Sequence, residues 1–565
     1  MELNRRSFLK GAGAAAAAAA VASTASVAVA DEAPEVLTYE TLESKNWSWM
    51  IPPEPIADED IAEVKTHDIV IIGSGMGGLC CGASAAQMGA DVIVFSAGTM
   101  PISRGGSIQA VGSKYEAEQG IEDNPDLRRE QIMMEQVAAN HMVNSRLWER
   151  WMNRSGESMD WAIDLLGTKG LYPELAPAYD DVDVLNGIPG EHNFWNENAV
   201  LGVFQGAPLV AAAYASYITD DCGCEIDYET EALYLIRDDN NTGRVSAVIA
   251  KDKDGKYIKY EANKAIVLAT GDFSKDPDMM AYYAPYAFKE FKNQFTAGGE
   301  VDYDVAMSFG GLMPGTGQKM GLWIGAAWQK AIPNPSAING GAGGPGWRVI
   351  DSFCGINLAS DGKRFHNENT NFAFGAYDKL YLPDKTVYSI WDINYAYTRD
   401  EWPGLGCSIN NVTSYKPSTA DQMAESWKSG RSYIQADTLE ELVAQLDIDQ
   451  EEALASIARY NEYAKNGVDE EYHVNPALLH PIETPPFFAT KSTGGTFLTV
   501  MGGLRCDEKL NVLDEEDKPI EGLYEVGTMI GDFFGHTYNF AISGLNLGAC
   551  CTTLPYLLGR DLAEM

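Results

Sequence analysis

His67 to Gly98, HDIVIIGSGMGGLCCGASAAQMGADVIVFSAG, decides the fold. Ile69-Val70-Ile71-Ile72 is too short for a helix and rich in β-branched residues, so it predicts a buried strand. Gly73-Ser74-Gly75-Met76-Gly77-Gly78 follows at once and opens a small-residue helix over Leu79 to Met88. Gly89 ends that helix, and Asp91 to Phe95 predicts the second strand. Gly73 permits the tight turn, Gly75 brings the backbone close to a pyrophosphate, and Gly78 lets helix and sheet pack closely. The helix start offers free N–H groups and a positive dipole to the anion. The candidate dinucleotide-binding residues here are Gly73, Ser74, Gly75, Gly77 and Gly78. The second strand ends on Ser96 instead of the acidic residue expected for a ribose hydroxyl, so Ser96 takes that place with a single hydrogen bond to offer.

Upstream, Asn4-Arg5-Arg6-Ser7-Phe8-Leu9-Lys10 is a twin-arginine motif. An alanine-rich segment, Gly11 to Val29, and Ala28-Val29-Ala30 at a cleavage point complete a signal peptide over 1–30. That leader sends a folded protein to the periplasm or cell surface, and no later stretch is long and apolar enough to span a bilayer. Residues 31–65, acidic and carrying Pro52-Pro53-Glu54-Pro55, read as an extended arm without chemistry.

The 565 residues carry a formal net charge of −40, which argues against nucleic acid and anionic lipid as partners. None of the nine cysteines forms a C-x-x-C pair, so no zinc, iron–sulfur or c-type haem site is encoded and no disulfide is assigned.

Beyond the second strand, the glycine pair of Ser103-Arg104-Gly105-Gly106 suits close approach to a flat ligand, making Ser103, Gly105 and Gly106 candidates. Residues 113–165 read as helical with Trp148, Trp151 and Trp161 as core anchors, and Gly202 to Ile218 as an amphipathic helix. Cys224 to Leu235 and Val245 to Ala250 alternate as antiparallel strands. Ala265 to Gly271 is an apolar strand running into Ala269-Thr270-Gly271, a second place where small residues meet a dinucleotide. Asp302 joins the candidate cofactor set.

Four blocks taken together resemble the flavoprotein family of fumarate reductases, succinate dehydrogenase flavoprotein subunits, urocanate reductase and 3-ketosteroid Δ1-dehydrogenases. They are GSGMGG at 73–78, AIVLATGDF at 265–273, DGKRFHNE at 361–368, and residues 502–563 with MGGLRCD, PIEGLYEVGT and LLGRDLA. The resemblance implies FAD and an α/β fold: a Rossmann-like FAD-binding domain, with a mixed sheet and helices, split by an inserted α+β capping domain. The FAD domain is expected over 66–327 and 488–565, with the cap over 328–487 closing on the flavin. Gly527, Thr528, Gly544, Asn546 and Leu547 are then the C-terminal FAD contacts, with the helix from Gly544 to Leu558 aimed at the flavin's pyrimidine end.

The family's arginine proton donor falls by position on Asp351, with Arg348 three residues earlier, and its histidine gives way to Leu498-Thr499-Val500. Both changes disfavour a dicarboxylate, which needs cationic clamps. Tyr538 and His536, in the loop before Gly544, resemble the placement of the ketosteroid dehydrogenases' catalytic tyrosine. The candidate catalytic set is Tyr538, His536 and Arg348, and a tyrosine hydroxyl there can polarise an enone carbonyl or exchange a proton. Arg364 and His366 read as scaffold, and Trp323, Trp328, Trp347, Tyr282, Tyr283 and Phe295 as an aromatic cleft.

These readings lead to an exported FAD oxidoreductase acting on CH–CH bonds. As a reductase it sends hydride from flavin N5 to an activated C=C of an aromatic enoate, enone or steroid-like acceptor. The same residues allow a ketosteroid-type dehydrogenase, and a third reading is an electron carrier between proteins. With no haem motif, the expected electron donor is a separate protein or a quinone pool.

Overall fold

The structure, a computed structural model, describes residues 47–175, 190–197, 206–296, 300–304, 312–339, 355–368, 372–398, 420–430, 433–538 and 542–565. Its centre is an eight-stranded mixed sheet. β1 (Ile61–Ile72) lies between β2 (Val92–Phe95) and β9 (Tyr257–Leu268), parallel to both. β2 pairs with β6 (Glu225–Asp227), and β9 with β17 (Pro519–Glu525), also in parallel. β7 (Thr230–Arg237) and β8 (Val245–Asp252) form an antiparallel hairpin on β9, so the strand expected over Cys224 to Leu235 divides into β6, parallel to β2, and β7; β16 (Asn511–Leu513) closes the far edge.

β2 and the C-terminal ends of β1 and β9 are apolar and fully buried because both faces are covered there. Ile69, Ile71, Val92 and Val94 face helix α1 (Met76–Gln87) and the C-terminal helix α8 (Leu554–Glu564). Val70, Ile72, Ile93 and Phe95 face the opposite core. Every residue of α1 but Gln87 is buried, so its helix is small-residued for packing: Ser84 Oγ donates to the Tyr556 carbonyl at 2.8 Å and binds α1 to α8.

β3 (Ile108–Gln109), β4 (Tyr172–Leu175) and β5 (Glu191–Trp195) form a small sheet beside long helix α2 (Ser145–Thr168). Trp148 and Trp151 are buried as expected, with Trp161 packed at the margin. Helix α3 (Gly206–Ser216) is buried on most sides instead of amphipathic, because it lies against both α1 and β5.

A four-stranded antiparallel sheet takes the order β11 (Ile356–Ala359), β12 (Thr386–Asp392), β14 (Phe487–Thr493), β13 (Ile434–Ala436). It has its own core, with Trp391, Trp427 and Phe488 packed against helix α7 (Gln450–Asn466). β10 (Ser336–Asn339) and β15 (Thr496–Val500) pair antiparallel between the two large sheets.

Strands run across two of the expected boundaries. The break at 65/66 falls inside β1, and that at 487/488 falls inside β14. The arm is also more than an extended lead-in. Trp47 and Trp49 are buried, stacked on each other with centroids 4.7 Å apart, and Trp49 meets Tyr282 and Tyr283. The Trp323 indole donates to the Trp49 carbonyl at 2.6 Å in helix α5 (Thr316–Trp323). Indole rings bury more apolar area than the acidic and proline residues around them expose, and that area outweighs the arm's composition.

Candidate active site

The cofactor turn forms where β1 meets α1. Gly73 has φ +118°, and a Cβ there would fall on the Ala269 carbonyl, so only glycine lets the turn cross the end of β9. Gly78 lies under the Gly73 carbonyl and 2.9 Å from the Ala269 side chain, measured from an ideal Cβ. Gly75 caps α1 in an extended conformation and bridges to Ile102. Buried Ser74 donates to the Met100 carbonyl at 3.4 Å.

Distant segments converge on this turn. Gly77 approaches Gly527, with an ideal Cβ 3.1 Å from the Gly527 Cα. A Cβ on Gly105 would lie 2.8 Å from Leu547 Cδ1, one on Gly206 would lie 2.9 Å from the Gly106 Cα, and one on Gly544 would lie 2.8 Å from the Ser107 backbone, so only glycines allow these approaches. Thr270 Oγ1 accepts from the Gly317 amide at 3.0 Å, and the Gly271 carbonyl accepts from Gln318 at 2.9 Å. The Thr528 carbonyl accepts from the Gly502 amide at 2.8 Å.

The remaining candidates sit differently. Ser96 is held by backbone bonds to Asp227 and Thr230 at 2.9 Å each. Ser103 is half-buried between Ile102 and Arg104. Asp302 is exposed and accepts from the Asp304 amide at 3.0 Å, whereas Asp304 reaches the Thr99 amide and hydroxyl at 2.7 Å each. Arg348, Trp347 and Asp351 lie outside the described residues.

The residues present fit a dinucleotide with a flat ring. Buried Ser543 Oγ, Asn546 Oδ1 and Gln318 Oε1 have no hydrogen-bond partner among the described residues, and they flank the Gly544–Ser107 and Gly271 contacts. Such orphaned atoms cost free energy unless a ligand meets them. The C-terminal helix starts at Asn546 with a π-helical run to Thr553, then continues as α8.

The loop carrying Tyr538 is pinned along its length. Asp532 accepts from the Lys330 and Ala331 amides at 2.9 to 3.0 Å, and the Trp148 indole donates to the Phe533 carbonyl at 2.8 Å. Gly535 is wedged against Ala139 and Met142. His536 is half-buried with φ +57°, a left-handed backbone uncommon for a side-chain residue. Tyr538 is 7% exposed, packs edge-on to Phe534 at 4.8 Å, and donates its amide to the Ser336 carbonyl of β10 at 3.3 Å.

Two polar residues that sequence reasoning passed over stand beside it. Arg104 Nη2 donates to the Leu498 carbonyl of β15 at 2.9 Å, and its guanidinium is electrostatically coupled to Asp272 and Tyr538. Burial lowers the Arg104 pKa, while those two groups oppose the shift. Buried Asp272 accepts from Ser274 Oγ at 2.9 Å and from Thr499 Oγ1 at 3.3 Å. Burial raises its carboxyl above the ordinary range, against the pull of Arg104 and the Ser274 and Met313 amides. The signal was a charged residue inside each of two glycine-rich turns, SRGG and ATGD.

A second passed-over layer backs the Gly105–Ser107 turn. Ser107 Oγ donates to Glu191, and His192 Nδ1 donates to the Gly190 carbonyl at 2.5 Å, leaving Nε2 to accept from Ser113 Oγ at 3.0 Å. Burial lowers the His192 pKa to about 4, so this ring is neutral. The aromatic cleft set divides: Tyr283 and Trp328 stack in the core at 3.7 Å, Phe295 packs on Phe497, and Tyr282 covers the tryptophan pair. Arg364 is a buried scaffold cation, bidentate to Asp469 at 2.8 and 2.9 Å and to Glu368 at 2.5 and 2.9 Å. His366 lies between Asn357 and Asp378 at 3.1 and 3.2 Å.

Fold and site together define a flavin-dependent oxidoreductase acting on CH–CH bonds. The chain belongs to the FAD binding domain family, matched over residues 68–545, within the superfamily of fumarate reductases and ketosteroid dehydrogenases. Residues 2–22 match the twin-arginine translocation signal, so the protein is exported. It is 24% identical to vinyl phenol reductase of Lactiplantibacillus plantarum, over 89% of this chain and 96% of that one. It also resembles 3-ketosteroid-Δ4-(5α)-dehydrogenase of Rhodococcus jostii RHA1 (TM-score 0.65, 19% identity, 90% of this chain and 100% of that one). A flavocytochrome c3 fumarate reductase gives TM-score 0.60 at 19% identity over 93% of this chain and 84% of that one. No helix among the described residues is long and apolar enough to cross a membrane.

Proposed function

We propose that this protein is an exported reductase of activated C=C bonds in aromatic enoates or enones. FAD, when bound, supplies the hydride; the chain's own residues supply binding, orientation and a proton. The pyrophosphate would be held by Gly73, Ser74, Gly75, Gly77 and Gly78, and the flat ring by Gly105, Gly106, Ala269, Thr270, Gly271, Gly527, Thr528, Gly544, Asn546 and Leu547. Ser96, Ser103 and Asp302 complete that set on the adenosine side and rim.

The observation that supports the reading is the placement of Tyr538, buried, bonded through its amide to Ser336 of β10 and interacting electrostatically with Arg104. From there its hydroxyl gives a proton to the carbon adjacent to the one that receives hydride. An aromatic acceptor also suits a site in which Arg104 is desolvated by burial among the described residues, and the vinyl phenol reductase similarity supports a small aromatic substrate.

The capping unit, 328–487 with its last strand running on to Thr493, covers the site and restricts water. His536, held in its left-handed turn, orients the loop, and Arg348 stays in the proposed catalytic set. Electrons come from a separate donor protein or the quinone pool, and the mature chain works in the periplasm or at the cell surface.

The test is anaerobic: reduced viologen with FAD-loaded protein and a panel of cinnamates, vinyl phenols, enones and steroids. Re-oxidation of viologen by an aromatic enoate or vinyl phenol is the expected result. Turnover only with a saturated ketosteroid and an artificial acceptor would establish the dehydrogenase direction, which the similarity to the ketosteroid enzyme supports. Oxidation by a cytochrome with no organic acceptor would establish a carrier.

A further inference from the structure

We propose that Arg104 is a positioning residue acting through Tyr538: anchored by Asp272 and the Leu498 carbonyl, its guanidinium stabilises the phenolate left when Tyr538 gives up its proton. This rests on the reading of Tyr538 as proton donor and deepens it.

The frame that brings the two together is backbone. Tyr538 is bonded through its amide to Ser336, and Ser336 stands opposite Val500 in the β10–β15 ladder. Two residues before Val500, the Leu498 carbonyl holds Arg104 at 2.9 Å. Between them, Thr499 Oγ1 reaches Asp272. The turns at 103–106 and 271–274 are thus fixed to β15, and the turn at 535–538 to its partner strand β10. Asp272 is itself held by Ser274 Oγ at 2.9 and 3.0 Å and by the Met313 amide at 3.3 Å, so it cannot swing away from the arginine.

The charges make the arrangement specific. Arg104 interacts electrostatically with both Tyr538 and Asp272. His536 precedes Tyr538 by two residues, and the Tyr377 hydroxyl donates to the same Ser336 carbonyl at 3.2 Å. A buried cation next to a hydroxyl favours the form that has lost its proton, most strongly where water is excluded.

Reduced FAD, when bound, would supply the β-carbon of the C=C with hydride, two electrons and one hydrogen nucleus. The α-carbon takes the Tyr538 proton as the π bond breaks, giving CH–CH. Tyr538 is left as phenolate opposite the Arg104 guanidinium until water returns the proton.

Arg104→Gln, Arg104→Lys, Asp272→Asn and Tyr538→Phe are compared as FAD-loaded proteins of checked flavin content. With Arg104→Gln we expect kcat to fall about 10- to 100-fold, the range of acid–base assistance, with KM changed less than about threefold. The alkaline limb of the kcat profile moves to higher pH, Arg104→Lys recovers part of the loss, and Asp272→Asn falls between. Independently of turnover, the Cζ resonance of Tyr538 in ¹³C-tyrosine protein, assigned with Tyr538→Phe, titrates at higher pH in Arg104→Gln than in the parent. Should Arg104→Gln fail to fold, Arg104→Met, which removes the charge and keeps the aliphatic stem, is put through the same comparisons. An unmoved Tyr538 titration, or a rise in KM with kcat and its pH limb unchanged, overturns the proposal and makes Arg104 scaffold or substrate ligand. Full turnover by Tyr538→Phe instead removes the proton-donor reading itself.

Discussion

Gly77, in the first turn of α1, lies against Gly527 at the end of β17, with room for no side chain between them: an ideal Cβ on Gly77 is 3.1 Å from the Gly527 Cα and 3.2 Å from its nitrogen. The contact closes the cofactor site from two ends of the chain. Gly77→Val forces the two backbones apart at a cost of about 1–3 kcal/mol. The expected outcome is FAD affinity weakened at least about tenfold, read as flavin absorbance per polypeptide during dilution, with thermal unfolding of the apoprotein shifted far less.

The Arg364 cluster is a buried ion network, with guanidinium and both principal carboxylates almost fully enclosed. Arg364→Met leaves Glu368 and Asp469 unpaired, and we expect a loss of about 3–5 kcal/mol in urea unfolding. Double replacement with Asp469→Asn recovers part of it, because one stranded charge is removed with its partner.

The same cluster sets an acid limit. Although burial works the other way, the Arg364 hydrogen bond, the Val474 amide and the Arg364 charge bring Asp469 down to about 2 from an ordinary 3.8. Its folded-state pKa is depressed, so its contribution is fully present above the unfolded value and is lost as pH falls through about 2. Between pH 4 and 2 the parent should lose stability more steeply than Asp469→Asn, measured by denaturant midpoint across that window.

Lys379 gives the opposite slope. It is 1% exposed on helix α6 (Phe372–Leu380), donates to Ser492 Oγ at 2.6 Å, and burial lowers its pKa to about 7 from 10.5. Between those values the unfolded chain holds the proton more firmly than the folded one, so stability rises with pH from about 7 toward 10.5. Lys379→Met should flatten that rise in denaturant midpoints between pH 7 and 9.

Trp49 tests the arm. Replacing it with alanine opens the stack with Trp47, Tyr282 and Tyr283, and should cost about 3–5 kcal/mol in thermal or urea unfolding. Viologen-linked kcat measured well below the midpoint should stay within about twofold, since the ring partners of Trp49 are Trp47, Tyr282 and Tyr283, none of them in the proposed catalytic set.

The sequence by itself determined the strand–turn–helix–strand unit at 67–98, because β-branched runs, glycines at forced spacings and a small-residue helix are local choices with one consistent packing. It also determined the export signal, the antiparallel hairpin before β9 and the return of 502–563 to the cofactor domain, the last through resemblance. Only the tertiary structure decided what surrounds Tyr538. Arg104 and Asp272 sit in separate turns, and a charge in a turn reads as solvated surface until β15 is seen to gather both from opposite sides. The same holds for Trp47 and Trp49, whose burial depends on Tyr282, Tyr283 and Trp323 far along the chain. Local pattern records backbone geometry and periodic burial; the partner of a lone charge or ring is a long-range contact, and that is set only when the strands close.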